Sequence, residues 1–127
     1  MLNKFLDENQ DYFYFVFRVI VGFTFFLHGW MKVSNYMARN IAPGSLMFFA
    51  MLIEVIVGIF LIIGLFTRYS AGIAAIEMVV AYFKVHAPQA VSPLANKGEP
   101  ALLFFAAFLV LVAFGARKWA VDNLKKP

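Results

Sequence analysis

The chain contains no cysteine among its 127 residues. Disulfides, iron–sulfur clusters, thiolate zinc sites and cysteine nucleophiles are therefore excluded. Charge is also scarce: 14% of the residues are charged, whereas globular domains carry about 25%. Apolar residues replace them, with 63% of the chain hydrophobic and a mean hydropathy of +0.80. Together these values predict a small membrane protein.

The positive net charge of +4 does not indicate nucleic-acid binding. Much of it lies just beyond the last apolar run, at Arg117, Lys118, Lys125 and Lys126. Cations at the end of a membrane segment orient the protein in the bilayer. We therefore expect the lipid bilayer, and not a nucleic acid, to be the partner that the charge pattern serves.

Four apolar segments approach the length that crosses a bilayer, about 20 residues. They cover residues 12–31, 46–65, 70–85 and 100–116. Ser45 is a suitable N-cap for the second segment, and Pro100 suits the first turn of the fourth. The predicted fold class is all-α, an integral membrane four-helix bundle that forms a single domain over residues 1–127.

The remaining segments are predicted to be connections. The acidic start MLNKFLDENQD lacks the basic n-region of a signal peptide. We expect a cytoplasmic stub with little structure; the alternative is a short amphipathic lead-in in which Leu2, Phe5 and Leu6 touch the membrane interface. Residues 64–69 leave only a tight turn, which makes the second and third helices antiparallel neighbours. Residues 86–99 include two prolines and no sustained periodicity, which predicts an ordered cap or lid.

The Lys and Arg residues of the short loops predict that both termini are cytoplasmic. In that orientation the inner side holds six cations and the outer side holds four. The inner cations are Lys4, Arg68, Arg117, Lys118, Lys125 and Lys126, and the outer ones are Lys32, Arg39, Lys84 and Lys97. The predicted location is the cytoplasmic (plasma or inner) membrane, with several passes.

Two glutamates, Glu54 and Glu77, interrupt stretches that otherwise consist of apolar residues. A charged carboxylate at membrane depth costs at least ~2.5–3.5 kcal/mol, so it normally faces protein or water and marks a functional site. Each lies on a helical stripe of small residues, and such stripes mark contacts between membrane helices. We therefore expect both carboxyl groups to point into the bundle.

Depth along the helices, at about 1.5 Å per residue, predicts the partners of these acids. Arg18 and Glu77 are level, so we expect a structural ion pair between them. Glu54 lies roughly 12 Å below the outer end of its helix and has no level cation. His28 and Lys32 are the partners that it can reach from the first helix.

Several polar residues fall near the outer ends of the first, third and fourth helices. They are His28, Lys32, Lys84, His86, Lys97 and Glu99. With Glu54 they are predicted to surround one outward-facing cavity. The residues leave other interpretations open, since lysines at helix ends also snorkel to the surface and His86 could act only as a cap. A haem between His28 and His86, or a metal held by His28, His86 and Glu99, is possible by position, but we expect neither.

Four stretches in this order resemble the DoxX family of small four-helix membrane proteins. They are RVIVGFTFFLHGWMK in the first helix, EVIVGIFLIIGLFTR in the second, FKVHAP after the third and NKGEPALL before the fourth. Gly115 followed by Asp122 is similar to the closing pattern of the family. The sequence departs from that pattern by lacking its second Gly and its Ser before the acid.

The resemblance implies a subunit or accessory of a membrane oxidoreductase system, including systems that reduce quinones. The family pattern falls on His28, Lys32, Glu54, Arg68, His86 and Glu99. On this basis Glu54, His28 and Lys32 are expected to be catalytic, with Glu54 relaying a proton. Ligand contacts are expected from His86, Glu99 and Lys84. The implied cofactor is a quinone, and electrons would come from another membrane or peripheral redox subunit.

Two functions of other classes compete with this hypothesis. Intramembrane acids also suit a proton-coupled carrier of a small solute, which would have to act as a homo-oligomer because four helices leave little room for alternating access. The chain could instead be a non-catalytic subunit that assembles or stabilises a larger membrane complex. Tolerance of changes at Glu54 and His28 would favour that last function.

Overall fold

The computed structural model describes residues 1–125, and within them the chain is helical without a strand. The α-helices are α1 (Leu2–Glu8), α2 (Gln10–Met37), α3 (Leu46–Ile63), α4 (Thr67–Ala81) and α5 (Glu99–Phe114). A π-helix (Tyr82–His86) continues α4, and a 3-10 helix (Val121–Lys125) follows α5. The inner cation predicted at Lys126 lies outside the described residues.

Each of the four predicted apolar segments coincides with a helix. The first is longer than predicted at both ends, since α2 has 28 residues. The third begins earlier, at Thr67, and its outer end is the π-helix. The prediction of an N-terminal stub with little structure was wrong: α1 is a short helix, and Lys4 and Glu8 form an exposed ion pair across one of its turns at 3.8 Å.

Local sequence accounts for where the helices begin and end. The Ser45 side chain accepts a hydrogen bond from the Phe48 amide at 3.2 Å, which confirms it as the N-cap of α3. Pro100 lies in the first turn of α5, as predicted. Gly64 ends α3 in the left-handed conformation with φ 71°, a conformation that glycine adopts without steric cost. The short connection makes α3 and α4 antiparallel neighbours.

Glycines allow α2 and α3 to touch along their backbones. A Cβ added to Gly58 would lie 2.7 Å from the Phe26 backbone, and one on Gly22 would lie 2.9 Å from the Gly58 carbonyl oxygen. The prediction that small-residue stripes mark helix contacts is confirmed for this pair. The other extensive contact joins α4 to α5, and a smaller one joins α3 to α4.

The interior and the outward faces are both largely apolar. The most completely buried large apolar side chains are Phe25, Leu61, Phe108 and Leu111. Outward-facing side chains are also apolar, as with Phe13, Phe23 and Leu27 on α2. Among the described residues, α2 and α3 are long and apolar enough to cross a membrane, by length and composition.

The connection between the π-helix and α5 is ordered around Asn96, which is fully buried. Its side-chain amide donates to the Ala90 carbonyl at 3.0 Å, and its side-chain oxygen accepts from the Gly98 amide at 2.7 Å. These bonds satisfy a polar group that would otherwise be costly to bury. The expected ordered cap is therefore present.

Candidate functional site

Lys32 of α2 and Glu54 of α3 form an ion pair between the two helices. The Lys32 Nζ lies 2.6 Å from the Glu54 Oε2, and the two side chains are only 21% and 6% exposed. Long side chains lean toward the N-terminus of their own helix, and α2 and α3 run in opposite directions. Each side chain therefore leans toward the other.

Gly29 brings the two helices close enough for this contact. A Cβ on Gly29 would lie 2.7 Å from the Val55 amide nitrogen and 2.8 Å from the Glu54 Cβ. The α2 backbone therefore passes directly beside Glu54, one turn before Lys32. A larger residue at this position would separate the ion pair by moving the helices apart.

The second acid predicted to lie in the membrane, Glu77 of α4, faces the first. Its carboxyl group lies close enough to the Glu54 carboxyl group for the two to interact. Its Oε2 is buried and has no hydrogen-bond partner among the described residues. Two carboxyl groups can bond to each other only when one carries a proton. We refer to Lys32, Glu54 and Glu77 as the Glu54 cluster.

The expected ion pair between Arg18 and Glu77 is not formed. Arg18 is fully buried, and its guanidinium donates instead to backbone carbonyl oxygens. The acceptors are those of Leu61 at 3.1 Å, Ala116, Lys118 at 3.2 Å and Trp119 at 2.7 Å. The side chain extends toward the N-terminal end of α2, as long helical side chains do, and so moves away from the level of Glu77.

The pairing of the two acids is thus the reverse of the prediction. Glu54, predicted to lack a level cation, is held by Lys32, one of its two predicted reachable partners. Glu77, predicted to be neutralised by Arg18, contacts another carboxyl group. Counting residues along a helix gives the height of each Cα, but long side chains reach a turn or more beyond it.

The segment after α5 supplies most of the acceptors for Arg18. Gly115, Arg117 and Trp119 all have positive φ angles, of 71°, 53° and 52°. The backbone turns at these three residues. The carbonyls of Ala116 and Lys118, which lie between them, accept hydrogen bonds from the Arg18 guanidinium. Nothing in the apolar pattern of the sequence signals this arrangement.

Asp122 has a role that the sequence analysis did not assign. Its carboxylate accepts from the Phe66 amide at 2.7 Å and the Thr67 amide at 3.0 Å, and its own amide donates to the Gly64 carbonyl at 2.9 Å. A carboxylate at a helix N-terminus satisfies unpaired N–H groups and the helix dipole. Asp122 therefore caps α4 from a distant part of the chain.

The predicted outer cavity is only partly assembled. Of the outer group, Lys32 is the residue that forms an ion pair with Glu54 within residues 1–125. The exposed His28 ring meets the Phe104 ring edge-on at 5.4 Å. The His86 Nδ1 lies 3.0 Å from the Asn96 carbonyl oxygen. His86 therefore helps to stabilise the connection between the π-helix and α5. Lys84, Lys97 and Glu99 are exposed.

Residues 1–125 contain no group of three His, Asp or Glu side chains placed to hold a metal ion. The minor alternative of a metal site made by His28, His86 and Glu99 therefore has no geometric support in the described residues. Of the three residues predicted to be catalytic, the structure brings Lys32 and Glu54 together, and Glu77 lies beside them.

Comparison with known proteins identifies the family. A model of the DoxX family matches residues 13–87, more than half of the chain. The chain belongs to the DoxX family. It is also 38% identical over 126 aligned residues to an uncharacterized protein of Haemophilus influenzae, with 93% of this chain and 94% of the relative covered. No solved structure matches it.

The DoxX assignment and the apolar helices together make this a helical membrane protein. The matched residues contain the whole Glu54 cluster, together with Arg18, His28 and His86. Glu99 and Asp122 lie beyond them.

Proposed function

We propose that this DoxX protein is a multi-pass protein of the cytoplasmic membrane with both termini inside, built as a single four-helix bundle. Helices α2 and α3 supply two spans. The continuous helix of about 20 residues from Thr67 to His86, and α5, supply the others. Loop cations favour this orientation, as with Arg68 and Arg117 on the inner side.

Within that bundle, we propose a subunit of a quinone-linked or other electron-transfer oxidoreductase system. The observation that carries the proposal is the Glu54 cluster, in which two carboxyl groups meet next to one cation in the interior of the helices. Reduction of a quinone consumes protons as well as electrons. A carboxyl pair with one shared proton is suited to supplying the protons, one at a time. Electrons would come from another subunit or a diffusible carrier.

Each residue of the cluster then has a distinct task. The ion pair with Lys32 offsets the cost of burying the Glu54 carboxylate. Glu77 holds the one proton of the carboxyl pair and passes it by way of Glu54 to the quinone oxygen, after which the pair takes up another proton from water. The remaining N–H donors of Lys32 can bind a carbonyl oxygen of the ligand. The exposed His28 ring packs against Phe104, so its proposed role is at the outer surface.

Quinone binding and its dependence on the cluster test this function. We expect purified protein in mild detergent to bind a short-chain ubiquinone analogue, measured by quenching of tryptophan fluorescence. Glu54→Gln and Glu77→Gln should each weaken binding or proton uptake by about tenfold, the effect of losing one charge-assisted hydrogen bond. Glu8→Gln makes the same chemical change on the exposed helix α1 and should have no effect.

Absence of quinone binding by the unaltered protein, or equal binding by Glu54→Gln, would contradict the proposal. A proton-coupled carrier is the second candidate, because the same buried acid pair could bind and release a proton during transport. Solute uptake by reconstituted vesicles that depends on a pH gradient and on Glu77 would favour it over the quinone function.

A further inference from the structure

A polar cavity of about 320 Å³ lies at the start of α4, which is the inner end of the molecule in the topology proposed above. Glu77 of the Glu54 cluster is about 15 Å farther along the same helix. It is placed where α4 begins, where α5 ends and where the following segment folds back. Its polar wall includes Thr67, Arg68, Arg117, Asp122 and Asn123. The proposed quinone chemistry makes no use of it.

Arg68 presents unused hydrogen-bond donors at this cavity. Its Nη1 donates to the Val112 carbonyl at 3.0 Å, and its other N–H groups donate to no acceptor among the described residues. The guanidinium lies against Gly115, where a Cβ would come within 3.0 Å of Nε and 3.5 Å of Nη2. Val112 and Gly115 thus position the fork of a guanidinium, which matches the oxygens of a phosphate.

The charge balance around the cavity is positive. Of the residues that line it, Arg68 and Arg117 are cations and Asp122 is the one acid. Asp11 pairs with Arg117 at 3.0 Å and with Lys118 at 2.9 Å. The Asp122 carboxylate is bound to the first amides of α4. The Phe66 and Thr67 amides are therefore not available to a ligand. The positive charge that remains available in the cavity is that of Arg68.

A buried hydroxyl group in the same wall has no partner. Thr67 is 1% exposed, and its Oγ1 makes no hydrogen bond within residues 1–125. Buried polar groups are nearly always hydrogen-bonded, so an unpaired one beside a charged cavity indicates a missing ligand or solvent partner. This observation is independent of the arginines.

Exposed aromatic side chains surround the polar wall. Phe66, Tyr69 and Phe114 all line the cavity, and each has at least half of its surface exposed. Aromatic residues of this kind sit at the boundary between acyl chains and headgroups in membrane proteins. Basic pockets between helices on the cytoplasmic side suit the headgroups of anionic lipids.

We propose that this cavity binds the phosphate group of an anionic phospholipid of the inner leaflet. Arg68 binds the phosphate through its free N–H groups, and Arg117, which also lines the cavity, adds positive charge. The acyl chains would lie along the apolar outer faces of α4 and α5. The shared chemistry is that of a phosphate, and the aromatic rim is what favours the lipid over a soluble phosphate.

Lipid retention measured by native mass spectrometry tests the site on the full chain in mild detergent. We expect phosphatidylglycerol to be retained in preference to phosphatidylcholine, and raised salt to reduce the retention. Arg68→Gln should reduce phosphatidylglycerol retention roughly tenfold, and Arg68→Lys should reduce it less, because a charge remains without the fork. Arg39→Gln removes an exposed arginine that follows the C-terminal end of α2, away from the cavity, and should have no effect.

Equal retention of the two lipids by the unaltered protein would overturn the proposal, even if the Arg68 variants failed to fold. Unchanged phosphatidylglycerol retention by folded Arg68→Gln would also overturn it. In a parallel thermal-shift arm with inorganic phosphate, Arg68-dependent stabilisation without a response to phosphatidylglycerol would refute the lipid as the source.

Discussion

At the scale of single residues, the buried charges of this chain are accommodated in two different ways. Arg18 uses only backbone carbonyls, which need no second charge and no proton. Glu54 uses a lysine and a second carboxyl group. The first arrangement is suited to holding the structure together, whereas the second brings together the groups on which the proposed proton transfer depends. Function is therefore expected at Glu54 and Glu77.

The ion pair of Lys32 and Glu54 should contribute to stability. Lys32→Met leaves a buried carboxylate without its cation, which costs about 3–5 kcal/mol for fully buried pairs. Since the Lys32 side chain is 21% exposed, we expect a smaller loss of roughly 1–3 kcal/mol. The free energy of unfolding measured by denaturing-detergent titration checks this.

The double variant Lys32→Met with Glu54→Gln provides the control for that loss. It removes both charges, so we expect it to recover most of the stability, with a clear coupling energy in the cycle. A Lys32→Met protein as stable as the unaltered chain would show that the ion pair contributes nothing.

At the scale of helices, two features decide how the elements are placed. Glycines at the α2–α3 contact let the backbones touch, and this proximity is what allows Lys32 to reach Glu54. Asp122 fixes the start of α4 from the C-terminal segment. The same segment surrounds Arg18 with carbonyls, so α2, α3 and α4 are all tied together at one end.

The α2–α3 contact gives a prediction with a control inside the same protein. Gly58→Ala places a methyl group 2.7 Å from the Phe26 backbone, and because backbone cannot move aside as a side chain does, the helices must separate. We expect a destabilisation of roughly 1–3 kcal/mol. Gly72→Ala meets nothing within 4 Å and should be neutral or slightly stabilising, since alanine favours helix.

Thermal unfolding of the two alanine variants in the same detergent compares them directly. Gly58→Ala should also weaken quinone binding, because the Lys32–Glu54 contact depends on the same helix spacing. If Gly58→Ala unfolds at the temperature of Gly72→Ala, the close contact of α2 and α3 does not limit stability.

At the scale of the whole molecule, the orientation in the membrane determines which solution each site meets. With both termini inside, the cavity lined by Arg68 faces the cytoplasm, and the connection ordered by Asn96 faces outward. Proton exchange at the Glu54 cluster would then occur from the outer side, where Lys32 lies.

Because the chain has no cysteine, single cysteines can report this orientation without background. We expect Val91→Cys, at a position 98% exposed in the outer connection, to react with a membrane-impermeant maleimide in intact cells. Leu2→Cys and Leu124→Cys are also at exposed positions but should react only after the membrane is opened. Labelling of either terminus in intact cells would contradict the proposed topology.

Much of the helical framework could be predicted from the sequence because it depends on local signals. Ser45 and Pro100 mark the starts of two helices, and Gly64 ends another, through properties of single residues. The small-residue stripe that includes Gly58 identified a helix contact. The N-terminal helix was not preferred because α1 has only seven residues, all exposed, and its apolar stripe of Leu2, Phe5 and Leu6 is too short to distinguish a helix from an unstructured stub.

The partners of the buried charges depended on the tertiary structure. Sequence composition and spacing determined an apolar helical protein with two acids and an arginine inside it, since burying an unpaired charge is costly and each must find a partner. Which partner each one found was decided by side-chain direction and by the fold-back of residues 115–122. The fold-back places backbone carbonyls against Arg18, and it places Asp122 at the start of α4. Glu54 is then contacted by Lys32 and Glu77.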